Sequence, residues 1–121
     1  MIEKTLFIAL ISAGLSMVPT LSYAQSLVCM IQRKEICQPN LPCRMIDNNM
    51  SSRIDLDSNS YSRCEKGSCQ TYPVTIARSG QFVNLSGNYN GFMVKLDTEN
   101  NELVELATLG LNTFISFGRC R

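Results

Sequence analysis

Six cysteines in a chain of 121 residues that has no histidine constrain the fold more than any other feature. An even number of cysteines in a small exported domain is typical of a disulfide framework that supplements a modest core. Sequence alone does not fix the pairing, but the segments between neighbouring cysteines favour one set. The favoured pairs are Cys64–Cys69, Cys37–Cys43 and Cys29–Cys120.

The reason for this preference is local loop geometry. Cys64 and Cys69 enclose the segment EKGS, in which Gly67 accepts a positive φ, so this pair predicts a clasp across a hairpin turn. Cys37 and Cys43 enclose QPNLP, a segment stiffened by two prolines. The remaining pair would join the first strand to the last. In the chain-entropy model, closing so long a loop stabilises the fold by about 4–5 kcal/mol.

The N-terminal segment predicts export. Lys4 precedes an apolar run at residues 6–18, and Ser22 and Ala24 occupy the small-residue positions of a cleavage site. The apolar run is shorter than the roughly 18 residues that a membrane-spanning helix requires. We therefore predict a cleaved signal peptide at residues 1–24, no stable membrane anchor after cleavage, and a periplasmic or secreted protein of a Gram-negative bacterium.

The rest of the chain, residues 25–121, predicts a single disulfide-stapled β domain. RIDLD alternates apolar and charged residues, with Ile54 and Leu56 directed inward, and similar short segments recur between turn-forming residues. This pattern is typical of an all-β fold, either a small antiparallel meander or a closed or partly closed β-barrel. Closure would remove the exposed edge strands, and a link between Cys29 and Cys120 is compatible with it.

Two segments are less regular. Residues 102–109 alternate as a strand, but the spacing of Leu103, Leu106 and Leu109 also fits a short helix. Residues 37–52 are polar and rich in turn-forming side chains, and we predict a long loop held by its cysteines.

The sequence argues against metal binding and redox chemistry. Structural zinc sites use Cys or His pairs separated by two to four residues, whereas the close pairs here have gaps of five and four, the chain has no histidine, and an oxidising compartment competes for the thiols. A thioredoxin-like pair requires a two-residue spacing at a helix N-terminus, which neither close cysteine pair has. We predict neither a metal nor a cofactor.

Catalysis is also not predicted. Without histidine, a Ser-His-Asp or Cys-His arrangement cannot be built. Asp55 with Asp57, and Glu102 with Glu105, are carboxylate pairs, and we interpret both as the solvated sides of strands. The sequence therefore favours a non-enzymatic protein.

Binding to another molecule is the remaining expectation. With 11 basic and 10 acidic residues, the net charge of +1 gives no electrostatic reason to expect nucleic acid or a membrane surface as partner. Tyr and Arg side chains carry much of the energy of protein interfaces. We expect several such side chains to be exposed, together with one Phe: Tyr61, Tyr89, Phe92, Arg53, Arg63 and Arg78.

Several motifs, among them IDLD, YSRC, GSC, ARSGQF and FISFGRC, resemble a group of small, uncharacterised, exported six-cysteine β-proteins of proteobacteria. That resemblance implies a location only. The outline of the chain is also similar to the bacterial inhibitors of c-type lysozyme, both membrane-bound and periplasmic. Those are small exported eight-stranded barrels that insert a loop with a Ser-Gly-x-x-Tyr motif into the lysozyme cleft.

The nearest match to this motif is Ser86-Gly87-Asn88-Tyr89, in which the Tyr stands one position early. The resemblance implies that Ser86 and Tyr89 would hydrogen-bond the two catalytic carboxylates of lysozyme, with Lys95 as a supplementary charge. The candidate partner-binding residues are thus Ser86, Gly87, Tyr89 and Lys95. We expect a binding protein of the bacterial envelope, whose partner is another protein of the envelope or host. Lysozyme inhibition, binding of a small apolar ligand, and a structural role in the envelope remain as alternatives.

Overall fold

The computed structural model describes residues 26–87 and 91–121, so the predicted signal peptide at 1–24 lies outside the described residues. Within these ranges the chain forms nine β-strands and no helix. The strands are β1 (Ser26–Cys37), β2 (Arg44–Ile46), β3 (Met50–Asp55), β4 (Ser60–Glu65), β5 (Ser68–Ser79), β6 (Phe82–Gly87), β7 (Phe92–Asp97), β8 (Glu102–Leu109) and β9 (Asn112–Cys120).

Eight of these strands close an antiparallel barrel. Strands β1 and β3 to β9 pair in chain order, and β9 pairs back with β1 over the register from Cys29↔Cys120 to Cys37↔Thr113. The ninth strand, β2, adds to the C-terminal half of β1. A β-bulge between Ile31 and Arg33 lets β1 bend while it pairs with β9. The predicted all-β fold is confirmed, with the barrel closed.

The barrel interior is filled by alternate residues of each strand, as the period of two requires. Ile54, Leu85, Leu96 and Leu103 are almost completely buried, and each projects inward from a different strand. Phe92 packs its ring against those of Tyr61 and Tyr72, with centroids 5.5 Å and 5.4 Å away. The same alternation also directs some polar side chains inward, and these form the candidate site.

The structure has three disulfides, and their pairs are the three favoured by loop geometry. No free cysteine occurs in the described part of the chain. Three disulfides suggest an oxidising, extracellular environment. Cys64 and Cys69 stand directly opposite each other on β4 and β5. The turn that they clasp consists of Lys66 and Gly67 alone, both with positive φ, so the loop is tighter than the four residues expected.

Two expectations about irregular segments need correction. Residues 102–109 form β8, so the helical alternative is wrong, because Leu103, Glu105 and Ala107 alternate inward with period two. The predicted long loop at 37–52 contains β2 and the beginning of β3, because Arg44–Ile46 pairs with the end of β1.

The strand directions define two ends of the barrel. One end, which we call the upper end, carries the Cys37–Cys43 loop, the Cys64–Cys69 hairpin and the turn between β8 and β9 at Gly110. The lower end carries the N-terminus of β1 and the turn between β7 and β8.

Candidate functional site

The barrel interior contains a polar cluster among the apolar side chains. Its members are inward-facing residues of four strands: Ser52 of β3, Tyr61 and Arg63 of β4, Glu105 of β8 and Ser116 of β9. Ser52, Tyr61 and Ser116 are fully buried, and Glu105 is 1 % exposed. Burial of a polar group lowers stability unless the group is paired, so the stability of the cluster depends on which partners these inward-facing side chains have.

Arg63 and Glu105 form an ion pair across the barrel. Arg63 Nε lies 3.3 Å from Glu105 Oε2, yet neither atom has a well-aligned hydrogen-bond partner among the described residues. The Arg63 side chain is 27 % exposed, whereas that of Glu105 is 1 % exposed. The guanidinium therefore spans from the buried carboxylate toward the upper end of the barrel, where it compensates a charge that burial alone would disfavour.

Tyr61 contributes a neutral polar group next to this pair. Its phenol oxygen and Ser52 Oγ share a hydrogen bond of 2.8 Å, and either oxygen can donate. Burial, followed by the negative charge of Glu105, raises the pKa of Tyr61 far above its usual value. The phenol therefore stays protonated and offers hydrogen-bond capacity to the interior without adding charge.

One interior row places three polar residues side by side. Glu105 of β8 stands opposite Ser116 of β9, and Ser116 stands opposite Lys34 of β1. Within the described ranges, the buried Ser116 Oγ has no hydrogen-bond partner. The row thus consists of the buried Glu105 carboxylate, the Ser116 hydroxyl next to it, and Lys34 near the upper end.

A cavity of about 630 Å³ lies at the upper end, above this row. Such a volume falls within the roughly 300–1,000 Å³ that is usual for small-molecule sites. The lining combines two cations with apolar side chains and backbone of the β8–β9 hairpin: Lys34, Arg63, Gly91, Ala107, Thr108, Leu109, Gly110 and Phe114. A second, smaller cavity of about 200 Å³ shares Lys34 and includes Asp47, Asn48, Asn49, Met50, Glu65 and Lys66.

The two cations converge on one methionine. Lys34 Nζ lies 3.9 Å from Met50 Sδ, and Arg63 Nη2 lies 4.0 Å from the same sulfur. The Lys34 ammonium also stands 5.4 Å from the centre of the Phe114 ring. Lys34 forms no ion pair with any described carboxylate, although Asp47 and Glu65 border the smaller cavity beside it. A thioether is a weak acceptor, so both cations retain donor capacity for a stronger one.

The candidate residues taken from the lysozyme-inhibitor resemblance lie elsewhere. Ser86 and Lys95 are exposed on the outer face of β6 and β7, where Ser86 stands opposite Met93 and Lys95 opposite Asn84. They are therefore diagonal neighbours on that face. Lys95 also lies over the ring of Phe82, at 5.3 Å from its centre. Tyr89 lies outside the described residues.

Gly87 belongs to the interior rather than to this outer face. A Cβ atom built on Gly87 would collide with the ring of Phe92, so a glycine is required there by packing. The candidate set is consequently divided: Ser86 and Lys95 lie together, whereas Gly87 supports the core.

Four sequence-based expectations about exposure were wrong. Tyr61 and Phe92, expected at the surface, are 0 % and 3 % exposed. Arg63 points into the barrel, whereas Arg53 and Arg78 are exposed as expected. Glu105, interpreted as solvated, is buried.

The sequence did contain a signal that Glu105 is buried. Glu105 has the same parity as Leu103 and Ala107, which places it inward on any strand that buries those two residues. The sequence does not show that Arg63 is the partner of Glu105, because the two residues are remote in sequence and meet only when the barrel closes.

Two further observations concern the described ranges only. No group of three or more His, Cys, Asp or Glu side chains in them is placed to hold a metal ion. Their secondary structure includes no helix that is long and apolar enough to cross a membrane. Comparison with known proteins yields no matching family model, no matching curated protein and no matching solved structure.

Proposed function

We propose that this protein is a non-enzymatic, exported binding protein of the bacterial envelope that holds a small ligand at the upper end of its barrel. The predicted signal peptide and the three disulfides support a periplasmic or secreted location. The cavity of about 630 Å³ carries the ligand-binding part of the proposal.

The cavity supports binding because its lining joins two kinds of contact. Phe114, Ala107 and Leu109 offer apolar surface, while Lys34 and Arg63 offer hydrogen-bond donors. Small-molecule sites usually combine a mostly apolar wall with a few polar groups that orient the ligand. Two of the three disulfides also link segments at this end of the barrel.

Nuclear magnetic resonance titration of the mature protein tests the proposal. Octanoate, octanol and octylamine serve as probes, because they share an eight-carbon chain and differ in the head group. We expect at least one probe to shift the backbone amides of Thr108 and Gly110 in a saturable way, while the lower-end amide of Asn101 does not move. If none of the three probes produces saturable shifts at the upper end, the proposed function is wrong.

Inhibition of c-type lysozyme is the second candidate. Ser86 and Lys95 support it, because both are exposed, are diagonal neighbours on one outer face and flank the segment that contains Tyr89. In this role the protein would act as a steric plug, and it would place hydrogen bonds on the two carboxylates of the enzyme.

Turbidity of a cell-wall suspension tests this second candidate. Near-stoichiometric protein should protect the suspension from c-type lysozyme, and Ser86→Ala combined with Lys95→Met should weaken that protection. Lysis at an unchanged rate in a large molar excess of the unaltered protein would eliminate the candidate.

A further inference from the structure

We infer that the ligand of the upper-end cavity is a small amphipathic carboxylate, whose anionic head lies between Lys34 and Arg63 and whose apolar chain lies along Phe114. This inference rests on the proposed small-ligand function and specifies its chemistry. It follows from three observations: the charge balance of the site, the unused donors and the position of the aromatic ring.

Among the residues that the structure describes, the lining of the cavity holds one positive charge that no carboxylate pairs with. Lys34 and Arg63 bring two cations to the cavity, and Glu105 brings one carboxylate. Glu105 is 3.3 Å from Arg63 Nε and is buried beneath it, whereas Lys34 forms no ion pair with a described carboxylate. Asp47, Glu65 and Lys66 border the smaller cavity beside Lys34 but do not line this one. A ligand with a single negative charge would balance the site, whereas a cationic ligand would add to the unbalanced charge.

The donors that face the cavity are available to such a ligand. Arg63 Nε faces Glu105, and among the described residues the hydrogen-bond partner of Arg63 Nη2 is the sulfur of Met50, at 4.0 Å. Lys34 Nζ contacts the same sulfur at 3.9 Å. Both cations line the upper-end cavity, so a carboxylate placed between them there would receive charge-assisted hydrogen bonds from both, which are stronger than contacts to a thioether.

The aromatic ring places the apolar part of the ligand. Phe114 lines the cavity and is only partly buried by the rest of the protein. The Lys34 ammonium lies 5.4 Å from the centre of this ring, so a head group bound to Lys34 has its chain next to Phe114. Burial of this chain against Phe114 and Ala107 would remove its methylene groups from water, which favours binding, so we expect a ligand with an apolar chain.

Isothermal titration calorimetry with the same three probes distinguishes this inference from the proposed function. We expect octanoate to bind at least about tenfold more tightly than octanol, because its head group gains charge-assisted hydrogen bonds, and octylamine to bind least tightly. Equal affinity for octanoate and octanol would overturn the carboxylate while leaving a small-ligand function in place. Binding of none of the probes would overturn both.

Substitution of Lys34 is a second test of the inferred carboxylate ligand. Lys34→Met should weaken octanoate binding about tenfold and leave octanol binding unchanged, and Lys34→Arg should retain most of the affinity for octanoate. Arg53→Met is the matched control, because it also removes one positive charge but from an exposed position on β3. If Arg53→Met weakens octanoate binding as much as Lys34→Met does, the attraction comes from overall charge and the proposed site is wrong.

Discussion

At the scale of single residues, the buried carboxylate of Glu105 is the feature that connects the core to the cavity. Replacement of a buried ion pair by apolar residues is often neutral or even stabilising, so such a pair is weak evidence for stability alone. In this barrel the pair places the Arg63 guanidinium between the interior and the cavity. We therefore interpret Glu105 as the residue that positions Arg63 at the cavity, where the proposed ligand would bind.

Glu105→Gln tests the cost of breaking this pair. The substitution removes the buried charge that compensates Arg63, and we expect the free energy of unfolding to fall by about 1–3 kcal/mol. The partial exposure of Arg63 keeps the loss below the values usual for fully buried pairs. Urea denaturation followed by circular dichroism measures the change.

Glu102→Gln is the matched control, because Glu102 pairs with Arg119 at 3.1 Å in an arrangement where both side chains are more than half exposed. Exposed pairs contribute about 0–1 kcal/mol, so this substitution should have little effect. Equal losses for the two variants would show that the Arg63–Glu105 pair is no more important to stability than a surface pair.

At the scale of strands and turns, the packing of β6 against β7 requires a glycine at position 87. Gly87 leaves the space that the ring of Phe92 occupies. Gly87→Ala should lower the free energy of unfolding by about 1–3 kcal/mol, because the added methyl group must displace a packed aromatic ring. The exposed neighbour provides the control: Ser86→Ala should change stability by less than about 0.5 kcal/mol. Similar effects of the two substitutions, measured by thermal unfolding, would contradict this packing role.

The β7–β8 turn is built around one carboxylate. Asp97 accepts hydrogen bonds from the amide of Glu99 at 2.9 Å, from the Gln81 side chain at 3.1 Å and from the Asn100 side chain at 2.9 Å. Desolvation acts to raise the pKa of Asp97, but these hydrogen bonds to the ionised form together hold it below its usual value of 3.8.

Acid should therefore weaken this turn in a predictable direction. A depressed pKa in the folded state means that Asp97 stabilises the protein above its unfolded pKa and that this contribution is lost as the pH falls through the folded pKa. We expect the difference in stability between the protein and Asp97→Asn to narrow when the pH is lowered below the usual carboxyl value of 3.8. Urea denaturation at a series of pH values measures it, and a difference that stays constant with pH would exclude this role for Asp97.

At the scale of the whole molecule, closure of the barrel is fixed by the disulfide between the first and last strands. Cys29 and Cys120 are 91 residues apart in sequence, whereas Cys64 and Cys69 are 5 apart. In the chain-entropy model, removal of the first disulfide costs about 4–5 kcal/mol and removal of the second about 2 kcal/mol. Denaturation of the two double Cys→Ala variants should show this order, and the reverse order would mean that loop closure does not dominate.

The all-β class could be predicted from the sequence because the relevant information is local, whereas the sequence left open whether the sheet closes into a barrel. Alternation identified the strand around Ile54, and Gly67 marked the hairpin between β4 and β5. The cavity could not be predicted in the same way. Lys34, Arg63 and Phe114 come from strands that meet only through closure and the stagger of the sheet, and no local pattern shows that three remote positions share one opening.

A crystal structure of the mature protein grown with octanoate tests the central claim most directly. We predict the carboxylate within hydrogen-bond distance of Lys34 Nζ and Arg63 Nη2, and the carbon chain along Phe114. An empty upper-end cavity at saturating octanoate, or octanoate bound only on the outer face beside Ser86 and Lys95, would contradict it.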